Sequence, residues 1–262
     1  MGFADLHIHT ISSWDGTSTV SGVLKKAAHH LGLDVIAITD HNTVASSLKA
    51  QAMAPEYNLE VITASEISTA EGHLLALFIR EDIPKRLSLV ETLLRVKEQG
   101  GIAIAAHPAA HGLKSLKPAA IRRALDHPEA REVLVGVETF NAGLVYMQSN
   151  HVAQALAREL SLAAVGSSDA HLLWMIGWGK TEFPGRTAAD LRRALEQRTT
   201  RAVMGELTSR PFMLLHWFSR YLLREAGWVN WNPHPEAPLR LGHISRAETP
   251  SPSLSEPQPS SA

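Results

Sequence analysis

Val35-Ile36-Ala37-Ile38-Thr39-Asp40-His41-Asn42 is a short apolar run that stops abruptly in polar residues. The run is too brief for a helix, and its β-branched content suits a strand buried on both faces. An N-cap for a helix starting near Val44 accounts for Asn42 or Asp40. It does not account for His41. Working outward, similar runs stand at Phe3–Ile8, Glu60–Ala64, Leu74–Ile79, Ile102–Ala106, Leu134–Val137 and Ala163–Ser167. Helical patterns fill the gaps: Ser21–Leu31, Val44–Met53, Leu87–Gln99, Pro118–Leu125, Met147–Leu160 and Thr187–Gln197. Strand and helix in alternation predict βαβ units and a parallel sheet. About seven strands, counted on that reading, predict an α/β fold closed or nearly closed as a barrel. An open doubly wound sheet is the alternative.

Polar residues suited to metal follow several of these runs. In Asp5-Leu6-His7-Ile8-His9 the two histidines share a face, because residues two apart on a strand point the same way. Two adjacent imidazoles suit one cation, with Asp5 placed to orient one of them from behind. The Trp14-Asp15-Gly16 stretch reads by itself as a turn. Ser65-Glu66-Ile67 puts a carboxylate at a strand end, and Ala105-Ala106-His107-Pro108 sets a histidine directly after an apolar run. Gly166-Ser167-Ser168-Asp169-Ala170-His171 repeats the two-residue spacing. In a parallel barrel such ends open on one face, and the carboxylates Asp15, Glu66 and Asp169 would be tolerable together only with cations.

In order, D-x-H-x-H-T, S-x-D-G, T-D-H-N, S-E, A-H-P and S-S-D-A-H resemble the motifs of the PHP (polymerase and histidinol phosphatase) superfamily, from Asp5 to about Met204. The resemblance implies a distorted seven-stranded TIM-like (β/α) barrel, a site of two or three divalent metal ions (Mn, Fe or Zn) and phosphoester hydrolysis by a metal-activated hydroxide. Carried over by position, the metal ligands are His7, His9, Asp15, His41, Glu66, His107, Asp169 and His171, with His73 matching a histidine of some members. His7, His9, Glu66 and Asp169 would surround one ion, and Asp15, His41 and His171 another, with Glu66 bridging toward His107. Where some members carry a further histidine, this chain offers Glu138 and Asn141. His107 or His171 is either a ligand or the acid for the leaving group, and Asp40 is a weaker candidate for proton transfer. Lys180 and Arg186 are considered as phosphate contacts. The substrate implied is a phosphorylated small molecule, a nucleotide or a short oligonucleotide. A metal-binding interaction module without catalysis, or an amidohydrolase-type reaction, is the competing reading.

The chain as a whole sets further bounds. Its 262 residues suit one large domain with an appendage. No cysteine is present, so disulfides, thiolate metal sites and cysteine nucleophiles are excluded. A formal net charge of −1 gives no general pull toward polyanions, and no stable nucleic-acid partner is expected. The start lacks a leader pattern and no long apolar run follows, so a cytoplasmic location is expected. The predicted divisions are a catalytic barrel at 1–205, an aromatic-rich helical extension at 206–244 and a disordered Ser/Pro-rich tail at 245–262. Within the extension, 210–231 carries three of the six tryptophans. It is expected to pack on the barrel wall, with a dimer contact or a membrane surface as the other possible uses of its apolar face.

Overall fold

In a computed structural model the described residues are 1–30, 32–110, 114–143 and 149–205, with isolated positions between 215 and 226. The tail 245–262 lies outside them, as does the extension 206–244 apart from those positions.

The opening strand β1 (Gly2–Ile8) is followed by α1 (Val20–His30), β2 (Val35–Ile38) and α2 (Ala45–Met53). Then come β3 (Glu60–Ile62), β4 (Ala64–Ser68), β5 (His73–Leu77), α3 (Leu89–Glu98) and β6 (Ile102–Ala105). The chain continues through α4 (Pro118–Leu125), α5 (Pro128–Val133), β7 (Leu134–Asn141), α6 (Asn150–Leu160), β8 (Ala163–Ser167), β9 (Gly179–Phe183), α7 (Ala188–Gln197) and β10 (Arg201–Met204).

These strands form two five-stranded sheets, ordered β10-β9-β1-β2-β3 and β4-β5-β6-β7-β8. The expected seven-stranded barrel is therefore replaced by ten strands in two sheets, and no closed barrel is found among the described residues. Parallel pairing holds for β1–β2, β2–β3, β6–β7 and β7–β8. It fails for β4–β5 and β5–β6, and β9 runs antiparallel to both β1 and β10. For β4–β5 the physical reason is connection length. The few residues between β4 and β5 permit a hairpin, whereas a parallel crossover needs a dozen or more.

Burial on both faces explains the near-continuous apolar runs. On β2, Val35 and Ala37 enter a central core with Leu6, Leu75, Ile104, Val165 and Phe183. Ile36 and Ile38 face α1 and α2, beside Val23, Leu24 and Ala50. In the second sheet, Leu74, Ala76, Ala103 and Ala105 pack outward against residues of α3 to α6 such as Leu93, Ile121, Ala130 and Leu156. No helix among the described residues is long and apolar enough to cross a membrane.

The sheets meet at isolated parallel bridges, Ile8 with Ala170 and His41 with Glu66. They also approach where β8 passes over β9: the amide of Gly166 donates to Thr181 Oγ1 (3.1 Å), and that hydroxyl donates back to the Gly166 carbonyl (2.8 Å). A Cβ on Gly166 would come within 2.3 Å of the Lys180 carbonyl oxygen. Because the clash is with backbone, Gly166→Ala is expected to destabilise the protein by about 2–3 kcal/mol. Thermal melts of metal-stripped protein check this; an unchanged Tm would show that β8 can shift freely.

Candidate metal centre

Glu66 stands at the middle of the cluster. It lies within β4 opposite Leu75, rather than at the end of a parallel strand as expected. Its Oε2 is 3.5 Å from His7 Nε2, 3.4 Å from His9 Nε2 and 2.9 Å from His41 Nδ1. Its Oε1 is 2.8 Å from His73 Nδ1 and 3.1 Å from His107 Nε2. Asp169 Oδ1 lies 3.3 Å from His7 Nε2 and 3.4 Å from His9 Nε2. Asp15 Oδ2 lies 3.3 Å from His41 Nε2 and 3.1 Å from His171 Nε2. All nine sequence-derived ligand positions, His73 included, thus converge on one cluster.

Neighbouring groups fix which nitrogen each ring turns inward. His7 Nδ1–H donates to Glu138 Oε1 (2.9 Å), leaving Nε2 to face the carboxylates. Ser13 Oγ–H donates to Asp40 Oδ1 (2.7 Å), so Ser13 Oγ accepts from His9 Nδ1–H (3.1 Å) and from the His41 amide (3.0 Å). His171 Nδ1–H donates to the Asp169 carbonyl (2.9 Å). Glu138 Oε2 accepts from the His107 amide (2.6 Å) and from Asn141 Nδ2 (3.0 Å), and Ser167 Oγ–H donates to Oε1. With its oxygens so committed, Glu138 holds His7 and the His107 backbone in place. His107 (φ 28°) and Asp169 (φ 50°) both carry positive φ, a conformation uncommon for non-glycine residues and often found where function requires strain.

Asp5 departs from its expected role. It touches no imidazole; Oδ1 accepts from the Ser168 amide (3.0 Å) and Oδ2 from the Gly177 amide (2.8 Å). It therefore braces the loop that carries Asp169 and His171. Asp40 accepts from the Thr10 amide (2.7 Å), Thr10 Oγ1 (2.5 Å) and Ser13, which fixes the loop after His9. Lys180 lies over the Phe3 ring, 5.9 Å from its centroid, and Arg186 is 3.8 Å from Asp34. Neither is brought to the cluster. Ser115, 3.0 Å from His107 Nδ1, carries no periodic signal in the sequence, whereas Ser13 is the serine of the S-x-D-G motif.

The electrostatics follow from burial opposed by close pairing. Burial favours the neutral form of every group here, yet the imidazoles beside Asp15, Glu66, Asp169 and Glu138 hold those carboxyls below their usual range. Burial likewise opposes charge on the histidines. The carboxylates overcome it, keeping His7 well above its ordinary value, His41 at about 10 and His171 at about 9. His9 is pushed down, by burial first and then by the facing His171. Burial raises Asp5 to about 6 against the bonds from Ser168 and Gly177.

The donor set fits divalent cations. Nitrogen and carboxylate oxygen atoms lie within 4.8 Å of one another in groups such as His7/His9/Glu66, His9/Asp15/His41, His9/Asp169/His171 and His41/Glu66/His73. The buried nitrogens His41 Nδ1 and His73 Nδ1 make no hydrogen bond despite their closeness to Glu66. Inward-facing imidazole lone pairs around carboxylates are what N,O-ligated metals require.

Two family models match the chain, one described as the PHP domain over residues 5–139 and one as PHP-associated over residues 148–200. An uncharacterized protein of Methanocaldococcus jannaschii is 42% identical over 149 residues, which span 53% of this chain and 81% of that protein. A 5'-3' exoribonuclease of Haemophilus influenzae is 32% identical over 196 residues, spanning 73% of this chain and 63% of that protein. Among solved structures, a two-domain protein from Bacteroides vulgatus, described as containing a predicted PHP-like metal-dependent phosphoesterase, shares the fold. Its TM-score is 0.64 at 22% identity, covering 83% of this chain and 69% of that one.

Proposed function

The chain belongs to the PHP domain family, and from that premise we propose that it hydrolyses a phosphate ester with two or three divalent ions, Mn, Fe or Zn, held by His7, His9, Asp15, His41, Glu66, His107, Asp169 and His171, with His73 beside them. The observation that carries this reading is the meeting of five imidazole nitrogens within 3.5 Å of the Glu66 carboxylate. Bound divalent ions supply a nucleophile at neutral pH and neutralise phosphoryl charge. The chain's own residues then have separate tasks. Glu138 and Ser13 fix the rings of His7 and His9, so their Nε2 atoms stay inward. Asp5 and Asp40 brace two loops, which bear Asp169 with His171 and Asp15 respectively. His107 and His171, considered as acids from the sequence, are ligands in this reading, and His171 is the one nearer solvent. Its side chain is 22% exposed, whereas that of His107 is 2% exposed and held between Ser115 and Glu66.

The substrate class in this reading is a phosphorylated small molecule, a nucleotide or a short oligonucleotide. The similarity to a protein called a 5'-3' exoribonuclease supports the oligonucleotide end of that range. A net charge of −1 speaks against a long polyanion track.

The test is to strip the protein with chelator, restore Mn²⁺ or Zn²⁺ separately, and assay an aryl phosphate, nucleoside monophosphates and short oligoribonucleotides beside a panel of amides. Hydrolysis of phosphate esters is expected only after metal is restored. Chelator-resistant hydrolysis, or turnover confined to amides, would overturn the proposal.

A further inference from the structure

Access to the cluster is uneven. His7, His9, Glu66, His107 and Asp169 have side chains no more than 3% exposed. The side chains of Asp15, His41, His73 and His171 are 10%, 11%, 11% and 22% exposed. Solvent, and hence a substrate, reaches the metal ligands from the side of those four, of which His171 is the most open.

Trp14 stands beside that opening. It is 64% exposed, and its indole lies nearly parallel to the His41 ring, at 13° with centroids 6.2 Å apart. Its two sequence neighbours are tied into the cluster: Ser13 bonds to His9, Asp40 and the His41 amide, and Asp15 pairs with His41 and His171. The backbone under Trp14 is thereby fixed. A large aromatic surface is held in water at the mouth of a charged site, where a surface loop would ordinarily carry a small polar residue.

We propose that Trp14 is a substrate-binding residue, a stacking platform for a planar aromatic group attached close to the scissile phosphate, and that this group is the base of a nucleotide. The inference rests on the phosphoesterase reading above and narrows its substrate range to nucleoside phosphates. An indole face stacks on any base, so the platform selects for nucleotides over sugar phosphates without choosing strongly among the four bases.

The experiment compares wild type, Trp14→Ala and Trp14→Phe, each loaded with Mn²⁺, on AMP and on ribose 5-phosphate. Trp14→Ala is expected to lower the ratio of kcat/KM for AMP over that for ribose 5-phosphate by about tenfold or more, chiefly through KM. Trp14→Phe is expected to recover most of that ratio. A second readout needs no turnover: adenosine 5'-thiomonophosphate should quench tryptophan fluorescence in wild type and not in Trp14→Phe, while ribose 5-phosphate quenches neither. An unchanged ratio with active enzyme overturns the platform and leaves the phosphoesterase reading standing. If no protein hydrolyses either compound, the phosphoesterase reading fails on these substrates, and quenching alone decides the platform; equal quenching in wild type and Trp14→Phe then overturns it.

Discussion

Glu66→Gln is expected to empty the centre of metal and to reduce hydrolysis at least about a thousandfold, while the secondary structure remains. The carboxylate meets His7, His9, His41, His73 and His107, so no other single side chain joins as many of the proposed ligands. An amide has the same shape but brings neither the negative charge nor two equivalent oxygens. Metal ions contribute several kcal/mol to such reactions, and each 1.36 kcal/mol is tenfold in rate. Glu138→Gln provides a graded comparison. The amide oxygen can still accept from His7 Nδ1–H, so the loss should be nearer 10–100-fold, as for other residues that orient ligands. Metal content by elemental analysis, measured with rate and circular dichroism, checks both. Glu66→Gln protein that kept its metal and most of its activity would remove Glu66 from the centre.

Much of the centre was readable because it depends on short-range grammar. His41, His107, Asp169 and His171 follow apolar runs directly, and the DxHxH spacing shares one strand face. β8 (Ala163–Ser167) and α4 (Pro118–Leu125) have the boundaries read from the sequence. What escaped depended on contacts between distant segments. The run read as Glu60–Ala64 breaks at Thr63, and the chain leaves one sheet for the other, so that β3 and β4 belong to different sheets. No hydrophobic period marks such a switch. β9 was missed because Lys180, Thr181 and Glu182 make it look like a loop; Thr181 is nevertheless buried by exchanging hydrogen bonds with Gly166. The role of Asp5 was misread for a related reason. Strand spacing places it near His7, whose amide lies 3.5 Å from Oδ1, but its shorter bonds, from the amides of Ser168 and Gly177, come from the far end of the domain.

Protons and metal compete for the same nitrogens, which sets an expected pH dependence. In chelated protein, His41 at about 10 and His171 at about 9 lie above the ordinary value of 6.5. Raised histidines add stability that is complete below about pH 6.5 and is lost as pH climbs through 9 to 10. The lowered carboxyls of Asp15, Glu66 and Asp169 act oppositely. Their contribution is complete above about pH 4 and is lost in stronger acid. Asp5, raised to about 6, takes back part of that gain between about pH 4 and 6. The Tm of chelated protein should therefore fall by on the order of 10 °C from pH 6.5 to 10. Metal binds only neutral imidazole, so loading at pH 7.5 must expel the protons held by His7, His41 and His171, and the protein should release about three. Above pH 10 that release should be smaller, and the Tm gained from metal should be larger than at pH 6.5. Calorimetric titration with Mn²⁺ in buffers of different ionisation enthalpy counts the protons directly. Loading at pH 7.5 without proton release would mean that His41 and His171 are neutral before metal arrives, and that their pairing with Asp15, Glu66 and Asp169 is not what holds the metal-free centre together.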